Sequence, residues 1–134
     1  MTGRGDGHFL AGVLDSPRPF ALRVARTSAL LASTTTLAAD SRARRRGLIG
    51  RDSLGPGEAL VIVPSQGIHT FGMQFAIDVV FVDRHGGILT IAHAVPPRRF
   101  RLSWRAFAVI ELAAGTCRTA GLRAGDQLAA QATG

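Results

Sequence analysis

The sequence predicts a mostly antiparallel α+β domain, small and barrel-like, with one short helix. Three observations predict it. About eight runs of strand length, apolar or alternating, lie between turns rich in glycine and proline. Gly86-Gly87 separates two of those runs, where a tight hairpin turn needs backbone freedom. The run Ser41 to Arg46, behind Asp40, is the stretch that reads as a capped helix.

In chain order, residues 1–19 carry Gly3, Gly5, Gly7, Gly12, Pro17 and Pro19 with little periodicity, so they are expected to form a flexible tail before a single domain over 20–134. Arg4-Gly5-Asp6 spells an adhesion tripeptide, but three residues recur by chance too readily to carry meaning. Phe20 to Ala25 and Ala29 to Ala39 alternate or are β-branched and read as a hairpin around Thr27-Ser28. Asp40 or Ser41 then caps the helix, and Gly47 lies where a helix stops. After the loop Asp52 to Gly57, the run Ala59 to Val63 between Gly57 and Pro64 reads as a buried strand. Ile77 to Asp83 and Ile88 to Val95 flank the turn Arg84-His85-Gly86-Gly87 as antiparallel partners. A Pro/Arg loop, Pro96 to Arg101, leads to a strand from Arg105 to Leu112. A helical turn is expected near Cys117 to Ala120 and a last strand over Gln127 to Ala130. Closing such strands into a barrel would remove the exposed sheet edges.

A chain of 134 residues supports one hydrophobic core, and with 6% aromatic residues and no tyrosine that core must be aliphatic. The net charge of +7 attracts polyanions at long range. All 16 basic residues are arginine, a bias that accompanies an Arg/Ala/Gly-rich composition as readily as it reflects phosphate contacts. Cys117 is the single cysteine, which excludes an intrachain disulfide, a Cys-rich zinc site and a Cys-x-x-Cys redox pair, and suits a reducing compartment. No run approaches the roughly 18 to 20 apolar residues of a membrane span. Arg23 to Asp40 mimics a signal peptide but starts late and is interrupted by Ser33, Thr34, Thr35 and Thr36. A cytoplasmic protein is expected.

Three motifs in order, SRARRRGLIGR at 41–51, PSQGIHTFGMQFAIDVVFVDRHGG at 64–87 and VIELAAGTCRTAGLRAGDQL at 109–128, resemble the DUF192 (UPF0127) family over most of residues 22–130. The middle motif is similar to the prokaryotic branch reading His-Thr-Phe-x-Met. The resemblance implies a compact, mostly β domain and no assigned activity. Relatives often carry a cysteine where this chain has Ser65 and a glutamate where it has Ala43, so thiol chemistry or an ion pair from those positions is not expected.

His69, Asp78 and His93 have the residue types of a zinc or iron site, yet their spacing matches no local ligand frame, so satisfied histidines and no metal or other cofactor are expected. Strand alternation puts Asp78 on one face with Val80 and Val82, and Ile77, Val79 and Phe81 on the other. A carboxylate turned inward must be paired. Arg44 and Arg51 are the expected partners, and the same logic assigns Glu111, sharing a face with Phe107 and Val109, to a structural ion pair. Ser65, Thr70 and His69 with Asp78 would supply a nucleophile, base and orienter, but Gly-x-Ser-x-Gly is missing. Cys117 beside Arg118 reads as a small core residue before a reactive thiol.

Arg42, Arg44, Arg45, Arg46 and Arg51 form one basic cluster, while Arg98, Arg99, Arg101 and Arg105, interleaved with Phe100 and Trp104, form another. If joined, they would stack on bases and grip phosphates. The primary reading is a non-catalytic cytoplasmic binding or accessory domain that presents the Pro/Arg loop and the turn holding Ser65, His69, Thr70, Phe71 and Met73 to a protein or small ligand. Nucleic-acid binding through the arginines is the alternative, and a hydrolase or metal enzyme centred on His69, Asp78 and His93 is a third.

Overall fold

The computed structural model describes residues 7–14 and 18–132. Arg4-Gly5-Asp6 lies outside them. The elements are β1 (Phe20–Val24), β2 (Leu30–Ala38), α1 (Ser41–Arg46), β3 (Glu58–Ile62), β4 (Gly67–His69), β5 (Ile77–Val82), β6 (Ile88–Val95), β7 (Phe100–Leu102), β8 (Ala108–Ala113), α2 (Thr116–Thr119) and β9 (Leu128–Ala132). One sheet has the order β6-β5-β8-β3-β2-β1-β9, and β4 and β7 form a separate ribbon. Neighbours are antiparallel except β2 and β3, which run parallel. The fold class is therefore α+β and mostly β, with a second, single-turn helix.

The large sheet curls into a half-barrel. At one corner the start of β6 meets the start of β9, where Ile88 N donates to Asp126 O at 2.8 Å and Leu128 N to Gly86 O at 2.9 Å. A single bridge, Gly87 to Gln127, joins the two edge strands there, so the barrel is drawn together at that corner without full pairing of its edges.

The central hairpin forms where the glycines predict it, with Val80 opposite Ile91 and Phe81 opposite Thr90. Its two glycines do different work. Gly86 takes φ +83°, and a Cβ there would stand 2.6 Å from Leu128 O, so a side chain is excluded twice over. Gly87 instead makes room for Asp83, whose Oδ1 accepts from the amides of His85 and Gly87, both at 2.9 Å. In α1, Asp40 is the cap, its Oδ1 accepting from Ala43 N at 2.8 Å.

Strand β5 is buried along its whole length because both its neighbours and both its faces are covered. Val80 and Val82 join one core cluster with Leu22, Val61, Ile110 and Cys117, while Ile77, Val79 and Phe81 join another with Leu48, Leu54, Met73 and Val109. Burying one such side chain contributes about 1.5–3 kcal/mol. Residues 7–14 correct the expectation of a flexible tail for that stretch: Leu10 and Val13 are buried in the first cluster, and Phe9 N donates to Arg84 O at 2.9 Å. Two apolar residues among glycines suffice to seat a segment when the curled sheet offers a place for them.

Asp78 is buried on the side that strand parity predicts, but its partners are not Arg44 or Arg51. Its Oδ1 accepts from Ala94 N at 2.9 Å, and its Oδ2 from Gly115 N at 3.1 Å and Cys117 N at 2.9 Å. Backbone amides carry no charge of their own to desolvate, so three of them hold the carboxylate without burying a guanidinium. Arg44 instead donates to Ala39 O at 2.5 Å, and Arg51 pairs with Glu58 at 3.2 Å on the surface. The buried carboxylate with an arginine partner is elsewhere: Asp126 accepts a two-pronged contact from the exposed Arg26, Nε to Oδ1 at 2.7 Å and Nη2 to Oδ2 at 3.0 Å, and Arg123 N adds a third bond at 2.9 Å.

Asp78→Ala is expected to destabilise the domain by about 3 kcal/mol, because three amides lose their acceptor, and Asp78→Asn by less. Urea unfolding measures both. Arg26 holds the Asp126 carboxyl down at about 2, below its ordinary 3.8, so this pair stabilises the fold above that ordinary value and is lost as pH falls toward 2. Arg26→Ala should flatten the acid limb of stability against pH between those values, and NMR titration of the Asp126 side chain should show its pKa move up.

Candidate functional site

A cleft of about 590 Å³ opens between α1 with its following turn and the ribbon strand β4. Local sequence builds both walls. The helix ends at Gly47, which takes φ +48° and turns the chain so that Leu48 enters the core while Ile49 stays at the surface. Opposite, Ser65 Oγ donates to Gly67 O at 2.8 Å and shapes the entry into β4, which pairs with β7 through Ile68 and Arg101. Arg44, Arg45, Arg46, Ser65 and His69 line the walls, and Met73 and Glu111 lie deeper.

Thr70 is buried and ties the two sequence-distant loops together. Its Oγ1 donates to Pro96 O at 2.7 Å and accepts from Arg99 N at 2.9 Å, while its backbone N donates to Arg99 O at 2.9 Å. The Pro/Arg loop is thereby pinned against the turn that follows β4, and part of it is strand β7. Three-residue strands far apart in the chain leave no periodic signal, which is why sequence reading sees loops here.

The ribbon carries an aromatic cluster. His69, Phe71 and Phe100 lie with ring centroids 5.1 to 6.2 Å apart. Phe71 is 43% exposed, Phe100 66%, Leu102 69% and Trp104 81%. Arg98, Arg99 and Arg105 are exposed around them and Arg101 partly so, and the Arg99 and Arg101 guanidiniums bond only to nearby carbonyls. The structure thus brings His69, Phe71 and the second arginine cluster together on one ribbon, and sets the helix arginines across the cleft from β4.

Of the other predicted site residues, Met73 is a core residue that also reaches the cleft, whereas Asp78 is consumed by backbone amides. His93 sits exposed on β6 and does not line the cleft with His69. A centre built from His69, Asp78 and His93 is therefore not assembled, and among the described residues no three His, Cys, Asp or Glu side chains are grouped as metal ligands. Cys117 is buried, and burial together with the Asp78 carboxylate pushes its thiol pKa up, the opposite of an activated nucleophile.

Glu111 departs most from expectation. Among the described residues it has no arginine partner, and its Oε1 is buried without any hydrogen bond to them. A lone acid in the apolar run Val109-Ile110-Glu111-Leu112 signals its burial, but nothing in the sequence signals that it goes unpaired or that it floors a cleft. Burial pushes its carboxyl up to about 7 from the ordinary 4.5.

Because the folded state holds this proton more tightly than the unfolded chain, stability should fall as pH rises from about 4.5 to about 7 and level off above. The size of that loss is on the order of 3 kcal/mol. Glu111→Gln should remove this slope, as read by urea midpoints across the same pH range.

Two solved structures share the architecture. A candidate transcription regulator from Sinorhizobium meliloti superposes with a TM-score of 0.74 at 24% identity, covering 83% of this chain and 91% of that one. A protein of unknown function from Novosphingobium aromaticivorans does so with a TM-score of 0.71 at 20% identity, covering 82% of each chain. At these identities the likeness establishes the fold. No curated protein matches the sequence. The DUF192 family, described as Uncharacterized ACR, matches residues 22–130, and the chain belongs to it.

Proposed function

We propose that the protein is a non-catalytic, cytoplasmic binding domain that docks an acidic peptide segment of a partner protein on the β4–β7 ribbon. The observation that carries this reading is the exposure of Phe71, Phe100, Leu102 and Trp104 on and just beyond the β4–β7 ribbon, among exposed arginines. Aromatic and arginine side chains are enriched where interfaces gain most of their energy. An apolar patch bordered by cations fits a partner with apolar anchors and carboxylates around them. The polar residues that would serve catalysis support it indirectly, since Asp78, Thr70 and Ser65 spend their hydrogen bonds on the backbone.

Single-stranded nucleic acid is the second reading, favoured by the interleaving of Phe100 and Trp104 with Arg99, Arg101 and Arg105. The name of the Sinorhizobium meliloti neighbour is compatible with either.

Trp104 is the single tryptophan of the sequence, so its emission reports on the patch directly. Peptides selected from a random displayed library should be enriched in Asp and Glu beside apolar residues, and should shift that emission to the blue. Phe100→Ala should weaken them roughly tenfold. Selected peptides indifferent to Phe100→Ala would sink the reading. A mixed-sequence oligonucleotide that binds more tightly than any peptide, with a steep salt dependence reduced by changing Arg98, Arg99 and Arg101 together to Ala, would replace it with the second.

A further inference from the structure

The cleft between α1 and β4 is a second site, independent of the ribbon's exposed aromatics. Its floor holds a buried carboxyl, Glu111, whose Oε1 has no hydrogen-bond partner. Such a group costs stability unless something supplies a donor, and an apolar residue like its strand neighbours Val109 and Ile110 would avoid the cost. Its position at the bottom of a cleft of about 590 Å³, a size that suits small molecules, points to a ligand that completes it. Gly47 borders the carboxyl without a side chain, and a Cβ added there would lie 3.9 Å from Glu111 Oε1.

The rim defines the rest of the ligand. Arg44, Arg45 and Arg46 all line the cleft, and Arg44 is engaged with Ala39 O and Ser41 Oγ. Arg45 and Arg46 are exposed, and their guanidiniums make no hydrogen bond or ion pair with any described residue. Guanidiniums in that state take phosphate or carboxylate oxygens. Three of them also make an ammonium a poor occupant of the floor, because a second cation would enter a positive field. A hydroxyl meets both conditions, since it donates to the carboxyl and adds no charge.

We propose that this cleft binds a small hydroxylated anion, a polyol bearing a phosphate or carboxylate, with a hydroxyl on Glu111 and the anionic group on Arg45 and Arg46.

Amide NMR titrations of the full chain test this with glycerol 3-phosphate and glycerate, each against its counterpart without hydroxyls, propyl phosphate and propionate. Saturable shifts are expected at Gly47, Ile68 and Glu111, with at least one hydroxylated anion binding about tenfold tighter than its counterpart. Whichever of the two binds tighter assigns the anionic group. Changing Arg45 and Arg46 together to Ala should weaken every anion. Glu111→Gln, whose amide oxygen still accepts, should reduce the preference for hydroxyls while leaving propyl phosphate or propionate bound. Glu111→Leu should erase it and, with no ligand present, raise the thermal midpoint, a gain that a purely structural carboxylate would not give. Equal affinity for hydroxylated and plain anions, a preference that survives both Glu111 variants, shifts confined to the β4–β7 ribbon, or no saturable shift with any of the four would each overturn the proposal.

Discussion

The buried carboxylate of Asp78 is the constraint on which the rest of the structure depends. It reaches from β5, which lies between β6 and β8, to two places at once: the end of β6, where Ala94 takes φ +48°, and the turn from β8 into α2, where Gly115 takes φ +94°. Both are backbone conformations that L side chains adopt reluctantly, and both aim an N–H inward instead of along the ladder. An anion gathering those donors makes the bends mutually supporting. The neighbouring Cys117 is then held in the core by the same oxygen that its amide serves.

What could be read from the sequence was what depends on near neighbours in the chain. The β5–β6 turn and the capped helix follow from a few adjacent residues, and the alternation in Ile77 to Val82 correctly divides the two clusters of core. The partners of Asp78 could not be read, because every non-proline residue carries an amide and none advertises that it will be the donor. Arginines, being visible, attracted the assignment. Arg26 and Asp126, far apart in the chain, pair for the same reason unseen: the pairing of β1 with β9 brings them together. Burial of Glu111 was legible in its apolar flanks, whereas its lack of a partner is a property of the space around it.

The ribbon and the cleft share a wall, yet they are built on different principles. The ribbon gains its exposed rings by being rigid behind them. Thr70 pins the Pro/Arg loop through three hydrogen bonds, so the aromatic side chains have little backbone entropy left to lose when they are covered. The cleft instead sets a buried carboxyl oxygen without a hydrogen-bond partner on its floor, a cost in stability that a hydroxyl donor would offset.

The parallel pairing of β2 with β3 has a further consequence. Strands that run the same way cannot be joined by a tight turn, so the chain must travel back along the sheet before it re-enters. Residues 39–57 are that return path, and α1 lies on it. The wall that faces β4 is thus carried on a connection whose length and surface the sheet does not dictate. Substitutions or insertions along its outer side can reshape the cleft while the strands keep their register.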